Sequence, residues 1–325
     1  MRELFEKKTY LSLTGGTGLP ISKLMECPMK FKHIKDGWRL KKKPIYYLSG
    51  TLFHKMAETI LKGEKDFSSV EKVETAVSEA LDEGRLWNDR REEYEEYDVS
   101  DEKKVDTARK TVPHQIFQVY LEKASGRFDD ILQIERKVEV DLLKNPQTGE
   151  PDDVCRMLEE AGIVFTGTID LDKSQSVEDL KTASPSSTRV PTDEEQEIIN
   201  SGGFLESNGM FNPKSDIQLQ IYGYMKTIED EEYCKEGVLH IFTKHKTMCR
   251  YIPVKAKLSV LNYIEVFNLV KQVGRDFIRF EEEGYPKCGF ASGCKDMFGQ
   301  PCIYRPLCFE DSNPELKDNL VNKKG

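Results

Sequence analysis

The chain has 325 residues, a net charge of -9, 38% hydrophobic and 10% aromatic residues, and a mean hydropathy of -0.58. That length can bury a substantial core, and neither the hydropathy nor any apolar run fits a membrane span of roughly 20 residues. The acidic balance argues against a protein that coats nucleic acid, but not against an enzyme with a local basic groove.

The opening MRELFEKKTY lacks the apolar stretch and cleavage pattern of a secretory signal. The expected location is therefore the cytoplasm of a bacterium, or of a host cell if the chain is phage-encoded, with no membrane partner. Gly15 to Gly18 (GGTG) lacks the Lys-Ser/Thr ending of a phosphate loop and reads as a turn. From Ile21 the pattern is helical around Cys27, and a second helix is expected over Thr51 to Lys62. Its apolar residues Leu52, Phe53, Met56, Ala57, Ile60 and Leu61 recur at helical spacing, with His54 and Glu58 on the other face. Between the two, Lys30 to Lys43 carries seven cations against the single acid Asp36, whereas Asp82 to Glu102 is crowded with carboxylates. Both read either as solvated faces or as a phosphate-facing strip and a self-repelling helical insertion. Residues 70 to 125 look polar and helical, with a break near Pro113.

The period then changes to two. Leu132, Ile134, Val138 and Val140 share one strand face, and Gln133, Glu135, Lys137 and Glu139 share the other. Ile163 to Leu171 and Ser176 to Thr182 read as strands joined by a short hairpin turn. Ala183 to Asp216 is polar and aperiodic apart from a short helix at Asp193 to Asn200; so long a connection usually serves function or is disordered. A helix at Ile217 to Ile228, a hairpin from Gly237 to Lys255 and a long helix from Lys257 to Glu283 follow. No internal repeat is present.

The chemistry sits in the segment Gly167 to Ser184. On a strand, Asp179 and Lys181 project to the same face, and the hairpin can bring Asp170 alongside Asp179. Converging carboxylates repel unless a cation joins them, and oxygen donors of this kind suit Mg²⁺ or Mn²⁺. An adjacent lysine can orient an attacking water or stabilise charge on a phosphoryl oxygen. The plain alternative is an exposed hairpin with a surface Asp-Lys pair worth little energy, and a lone D-x-K tripeptide does not decide between them.

What decides is the order of motifs. Cys27-Pro28-Met29-Lys30-Phe31 ends a helix; Gly50-x-x-x-His54 lies on the next. Gly167-x-x-Asp170 and Asp179-Leu180-Lys181-Thr182 occupy the hairpin, Gln218-x-x-x-Tyr222 a later helix, and cysteines close the chain. This succession, from Ile21 to Cys308, resembles the RecB-like branch of the PD-(D/E)XK nuclease superfamily, which includes CRISPR-adaptation nucleases. The resemblance implies an α/β restriction-endonuclease-like core: a small mixed sheet flanked by helices, in a single domain over residues 1–325. It would carry a helical insertion at about 65–125 and a cysteine-rich clip at about 286–310. It makes His54, Asp170, Asp179 and the Leu180 carbonyl metal ligands and Lys181 the water-positioning lysine. Gln218 and Tyr222 would touch the DNA strand or brace the site, and Glu135 ranks below these. The same resemblance implies a four-iron cluster on Cys27, Cys294, Cys302 and Cys308, with Cys288 in reserve. The usual tight Cys-x-x-Cys step is missing, so zinc, or a vestigial site without metal, stays open. The expected activity is Mg²⁺-dependent DNA hydrolysis, exonucleolytic on single strands or duplex ends, in recombination, repair or phage DNA processing, with a helicase or recombination partner. The rival reading is a non-catalytic DNA-end or partner-binding protein that keeps the fold.

Overall fold

A computed structural model describes residues 8–14, 18–65, 67–88, 93–245, 249–287, 302–309 and 318–323. In chain order the elements are β1 (Thr9–Thr14), β2 (Leu19–Pro20), α1 (Ile21–Glu26), α2 (Pro28–Lys35), β3 (Trp38–Leu40), β4 (Lys43–Pro44), α3 (Ile45–Lys62), α4 (Val70–Glu83), β5 (Arg85–Asn88), β6 (Glu93–Asp98), α5 (Glu102–Ala124), β7 (Gln133–Val140), α6 (Asp153–Glu160), β8 (Ile163–Asp172), β9 (Ser176–Ala183), α7 (Asp193–Asn200), α8 (Ile217–Asp230), β10 (Glu236–Thr243), β11 (Tyr251–Lys257), α9 (Val260–Glu283), α10 (Arg305–Cys308) and β12 (Leu320–Asn322). No helix among the described residues is long and apolar enough to cross a membrane.

The expected strands and helices from Gln133 to Glu283 appear within a few residues of their predicted bounds, and α7 occupies the short helix read at Asp193 to Asn200. Thr192 and Glu195 close a reciprocal capping box at its start, which explains why eight residues suffice. Two readings fail between 70 and 125. Residues 85–88 and 93–98 pair as the antiparallel strands β5 and β6, not a helix: alternate residues Glu95 and Tyr97 are buried while Tyr94 and Glu96 face out, the period of a strand. Pro113 does not break α5, which runs through it with the ring buried. Its missing N–H leaves one carbonyl of the preceding turn without its helical donor. Cys27 is extended (φ -163°, ψ 114°) and separates α1 from α2, as a residue before proline prefers.

The chain divides into two compact units. One comprises Met1–Lys41, Val138–Gly167 and Ile264–Gly325; the other comprises Lys42–Lys137 and Thr168–Tyr263. In the first, β1 pairs in parallel with the start of β8, and β2 in parallel with β1. Strands β3 and β12 form a separate antiparallel ribbon, beside which Cys302, Tyr304 and Leu320 are buried among Trp38, Leu40 and Ile34.

In the second, the rest of β8 turns back antiparallel into β9, which lies parallel to β10 through eight consecutive pairs, Ser176↔Glu236 to Ala183↔Thr243. Strand β11 is antiparallel to β10. Mixed directions with helices on the sheet are the expected α/β class. Every residue of β8 and the first five of β9 are buried, so both faces of the hairpin are covered. That is why carboxylates placed here meet little water.

One buried network braces this hairpin. Arg136 on β7 donates to Asp172 at 2.8 Å and to Asp230 and Glu229, while Lys226 lies 2.7 Å from Asp172. The Arg136 hydrogen bond, with help from Lys226 and against the effect of burial, holds the Asp230 carboxyl at about 2, below its ordinary 3.8. A carboxyl depressed on folding contributes stability that is complete above its unfolded value and lost as pH falls through its folded one. Wild-type Tm should therefore drop between pH 4 and 2, roughly the window between these two values. Arg136→Gln, already less stable at pH 7, should lose less over that window; identical slopes in pH-dependent melts would refute the brace.

Candidate metal centre

The site grows from the turn between β8 and β9. The hairpin pairs Leu171 with Glu178 and Asp172 with Val177; continuing that register sets Asp170 opposite Asp179. The Leu180 N–H donates to Asp170 Oδ2 at 3.0 Å. In an extended strand a residue's N–H and C=O project to one edge, so the Leu180 carbonyl also faces the Asp170 side. Helix α3 brings His54, whose Nδ1 lies 3.5 Å from Asp170 Oδ2. Strand β7 brings Glu135. One donor atom each from His54, Glu135 and Asp170 lie within 4.8 Å of one another.

Glu135 has φ +54°, a left-handed conformation that costs a non-glycine residue free energy. It falls inside β7 and resets the alternation there, so Leu132 is 67% exposed and does not share the buried face of Val138 and Val140. The strict period read from Leu132 to Val140 fails at this residue. The kink coincides with the carboxylate that joins the cluster.

The electrostatics are those of a site short of positive charge. Burial, then Asp179 and Glu135, push the Asp170 carboxyl well above the ordinary carboxylate range. Asp179 is also raised by burial, with Lys181 opposing. Lys181 Nζ pairs with Asp179 Oδ2 at 2.8 Å, and that buried oxygen receives no other donor among the described residues. Burial lowers the Lys181 ammonium, but Asp179, Asp216 and Asp170 outweigh it and raise it overall. The ammonium donates to Gln218 Oε1 at 2.7 Å, and Gln218 Nε2 donates to the Tyr222 hydroxyl at 2.7 Å. An imidazole (His54) and three carboxylates (Glu135, Asp170 and Asp179) form a donor set that fits a divalent cation of the Mg²⁺ or Mn²⁺ kind.

A family model matches residues 20–308, and its description is the PD-(D/E)XK nuclease superfamily. The chain belongs to the PD-(D/E)XK nuclease superfamily. Among solved structures, this nuclease-family chain is similar to a Eubacterium rectale protein named as a candidate exonuclease, with 11% identity and a TM-score of 0.46 over 85% of this chain and 86% of that one. It is also similar to SSO0001, with 13% identity and a TM-score of 0.26 over 82% and 98%. No curated protein matches it.

Within this PD-(D/E)XK chain the structure gathers His54, Asp170, Asp179, Leu180, Lys181, Gln218 and Tyr222 in one unit. Tyr222 is 2% exposed, so it reaches Gln218 and not a passing strand. Glu58 does not partner His54; it pairs with Lys62. A glutamate on a polar strand face looks solvated in sequence, and nothing local announces the left-handed residue that brings Glu135 into the cluster. A further buried polar group carries no sequence signal: the fully buried His240 links Glu178 and Tyr251 through bonds of 2.7 Å each, on the strand next to Asp179.

Four of the seven cations in the basic strip are held in ion pairs. Lys30 pairs with Glu26, Lys32 with Asp36, Lys35 with Glu281 and Lys43 with Glu95, and Arg39 donates to the Ile34 and Trp38 carbonyls. Of the cysteines, Cys27, Cys302 and Cys308 fall in the other unit, while Cys288 and Cys294 lie outside the described residues. His33 Nε2 is 3.2 Å from Cys308 Sγ. Among the described residues, no three of these side chains come within 4.8 Å as a single zinc would require.

Proposed function

We propose that this chain is a divalent-metal-dependent nuclease that hydrolyses DNA phosphodiesters, working exonucleolytically on single strands or duplex ends. The observation that carries the reading is the convergence of His54, Glu135 and Asp170 on one point, beside a lysine tethered to a second buried carboxylate. A binding module would have no use for buried like charges that raise one another's proton affinity. In this reading His54, Asp170, Asp179 and the Leu180 carbonyl hold Mg²⁺ or Mn²⁺, with Glu135 added to the set read from sequence. When bound, the cation supplies Lewis-acid stabilisation of the phosphate and lowers the proton affinity of a water.

The chain's own groups do the rest. Lys181 holds a water in line with the phosphorus and neutralises charge growing on a phosphoryl oxygen. Gln218 fixes the ammonium by accepting a hydrogen bond from it, and Tyr222 fixes the Gln218 amide so that its oxygen, not its nitrogen, faces Lys181. Asp179 keeps the lysine charged. A recombination, repair or phage DNA-processing role, with a helicase partner, belongs to the same proposal. So does a four-iron cluster on Cys27, Cys302, Cys308 and Cys294, whose thiolates need more room than a single zinc allows.

The test is cleavage of end-labelled single-stranded and duplex DNA by anaerobically purified protein in Mg²⁺, Mn²⁺ or EDTA. Cleavage is expected with either metal and none in EDTA, and the product ladder gives polarity. Cleavage that survives EDTA, or none with either metal in the presence of a helicase fraction, would count against the proposal.

A further inference from the structure

Four large aromatic side chains on α3 and the β5–β6 hairpin remain about half exposed, while most other aromatic side chains among the described residues are buried. Tyr46 and Tyr47 are 52% and 50% exposed, and Trp87 and Tyr94 are 40% and 54%. Tyr47 lies seven residues before His54 on α3, two turns along the same face, about 10 Å away. Between them is Gly50, where an added Cβ would meet nothing within 4 Å. A mid-helix glycine costs about 0.5–1 kcal/mol relative to alanine, and here packing does not demand it. It leaves the helix backbone open to something that runs from Tyr47 towards the metal centre.

The second pair sits on the hairpin beside the same helix. Trp87 and Tyr94 are cross-strand partners, with rings edge to face at 5.1 Å, and the Arg85 guanidinium lies 4.9 Å over the Tyr94 ring. Lys55, next to His54, donates to the Trp87 carbonyl at 3.1 Å and ties the hairpin to α3 at the metal centre. The Tyr46 and Tyr47 rings lie side by side, with centroids 4.4 Å apart and planes tilted by 37°. On α3 the charge pattern points the same way: in a chain with 57 acidic residues, the thirteen from Ile45 to Ala57 contain none, whereas the strand that carries Tyr94 also carries Glu93, Glu95, Glu96 and Asp98.

We infer that Tyr47 with Tyr46, and Trp87 with Tyr94, are stacking platforms for the unpaired bases of a single-stranded nucleic acid whose backbone crosses α3 at Gly50 to reach His54. The inference rests on the nuclease reading and gives its site a substrate class. An aromatic ring accepts any base by its face and is worth a similar amount for each. A duplex, with its bases stacked on one another, gains nothing from these rings. The platforms therefore select single strands, or frayed ends, without selecting sequence.

The experiment uses the full chain with Ca²⁺ in place of Mg²⁺ and a labelled oligothymidylate, against a blunt duplex of equal length. Tyr47→Ala and Trp87→Ala should each weaken single-strand binding about 10-fold, leave duplex binding within about twofold, and leave the thermal melt unchanged, since both side chains are on the surface. Tyr47→Phe should restore the affinity. In a Trp38→Phe background, emission from Trp87 should be quenched as the oligonucleotide saturates. The inference is overturned if both alanine variants bind the single strand as wild type does, if both substrates weaken equally, or if Trp87 emission does not change. Should the wild type cleave DNA while these variants are unaffected, the platforms fall and the nuclease stands. Should it neither bind nor cleave any nucleic acid, both fall.

Discussion

Asp170→Asn is expected to melt a few degrees above the wild type in EDTA, to gain nothing from Mg²⁺, and to lose cleavage by a factor of about a thousand or more. The carboxylate is 9% exposed, faces Asp179 and Glu135, and receives the Leu180 N–H and part of the Lys181 charge in return, which do not outweigh burial. Its proton affinity is raised on folding, so the ionised form works against the fold. The sign follows: that cost is fully present above the raised folded value and disappears as pH falls below the ordinary carboxylate range. Asparagine can still accept from the Leu180 N–H and carries no charge, so relief is on the order of 1–3 kcal/mol, which for a chain of this length is a few degrees. The advantage should shrink as pH falls through the raised folded value, where the wild-type carboxyl takes up its proton, and be gone below the ordinary carboxylate range. Mg²⁺ stabilises wild type in proportion to its binding, and a set deprived of Asp170 should show no such shift. A variant that melts no higher than wild type in EDTA, or that still gains several degrees from Mg²⁺, would mean that Asp170 is not the strained carboxylate of a metal site. Asp179 suits this experiment less well, because its removal would also strip Lys181 of its counter-ion.

The strands and the hairpin were legible in the sequence because burial on two faces leaves long apolar runs, Ile163 to Leu171 above all, and because a short polar turn between two such runs has few other solutions. Asp170, Asp179 and Lys181 were legible for the same reason: hairpin register is fixed by the turn, and register fixes which side chains meet. His54 was readable only through the order of motifs, since α3 would look the same with a solvated histidine. Glu135 was not, because what recruits it is one backbone angle in β7. The β5–β6 hairpin was hidden by its charge: six carboxylates between Glu93 and Glu102 resemble a solvated helix, and only the contact of Tyr97 and Glu95 with Lys43 gives that strand an inner face. Pro113 misled for the opposite reason. A proline inside a helix is costly in isolation, but α5 is 23 residues long and buries Val112, Ile116 and Val119 around it, so packing outweighs one lost hydrogen bond.

Lys181→Met tests the other half of the site and should behave in the reverse sense. Methionine keeps most of the stem's volume and removes the ammonium that faces Asp179, Asp216 and Asp170. The metal-free variant should therefore be less stable than wild type, by on the order of 3 kcal/mol if Asp179 stays ionised and by less as it takes up a proton. Mg²⁺ should repair that loss, because the ion now neutralises carboxylates that no lysine shares. Its stabilising shift should be at least as large as in wild type. Cleavage should nonetheless fall by roughly 10²–10³-fold, the usual effect of deleting a group that stabilises transition-state charge, and it should fall in kcat more than in KM. Restored stability with lost turnover would separate holding the metal, the part assigned to His54, Glu135, Asp170 and Asp179, from positioning the water, the part assigned to Lys181. If Lys181→Met instead cleaved within tenfold of wild type, the lysine would be no more than a counter-ion for Asp179. The group that positions the water would then have to be sought among the neighbours that Lys181 now holds in place, Gln218 first.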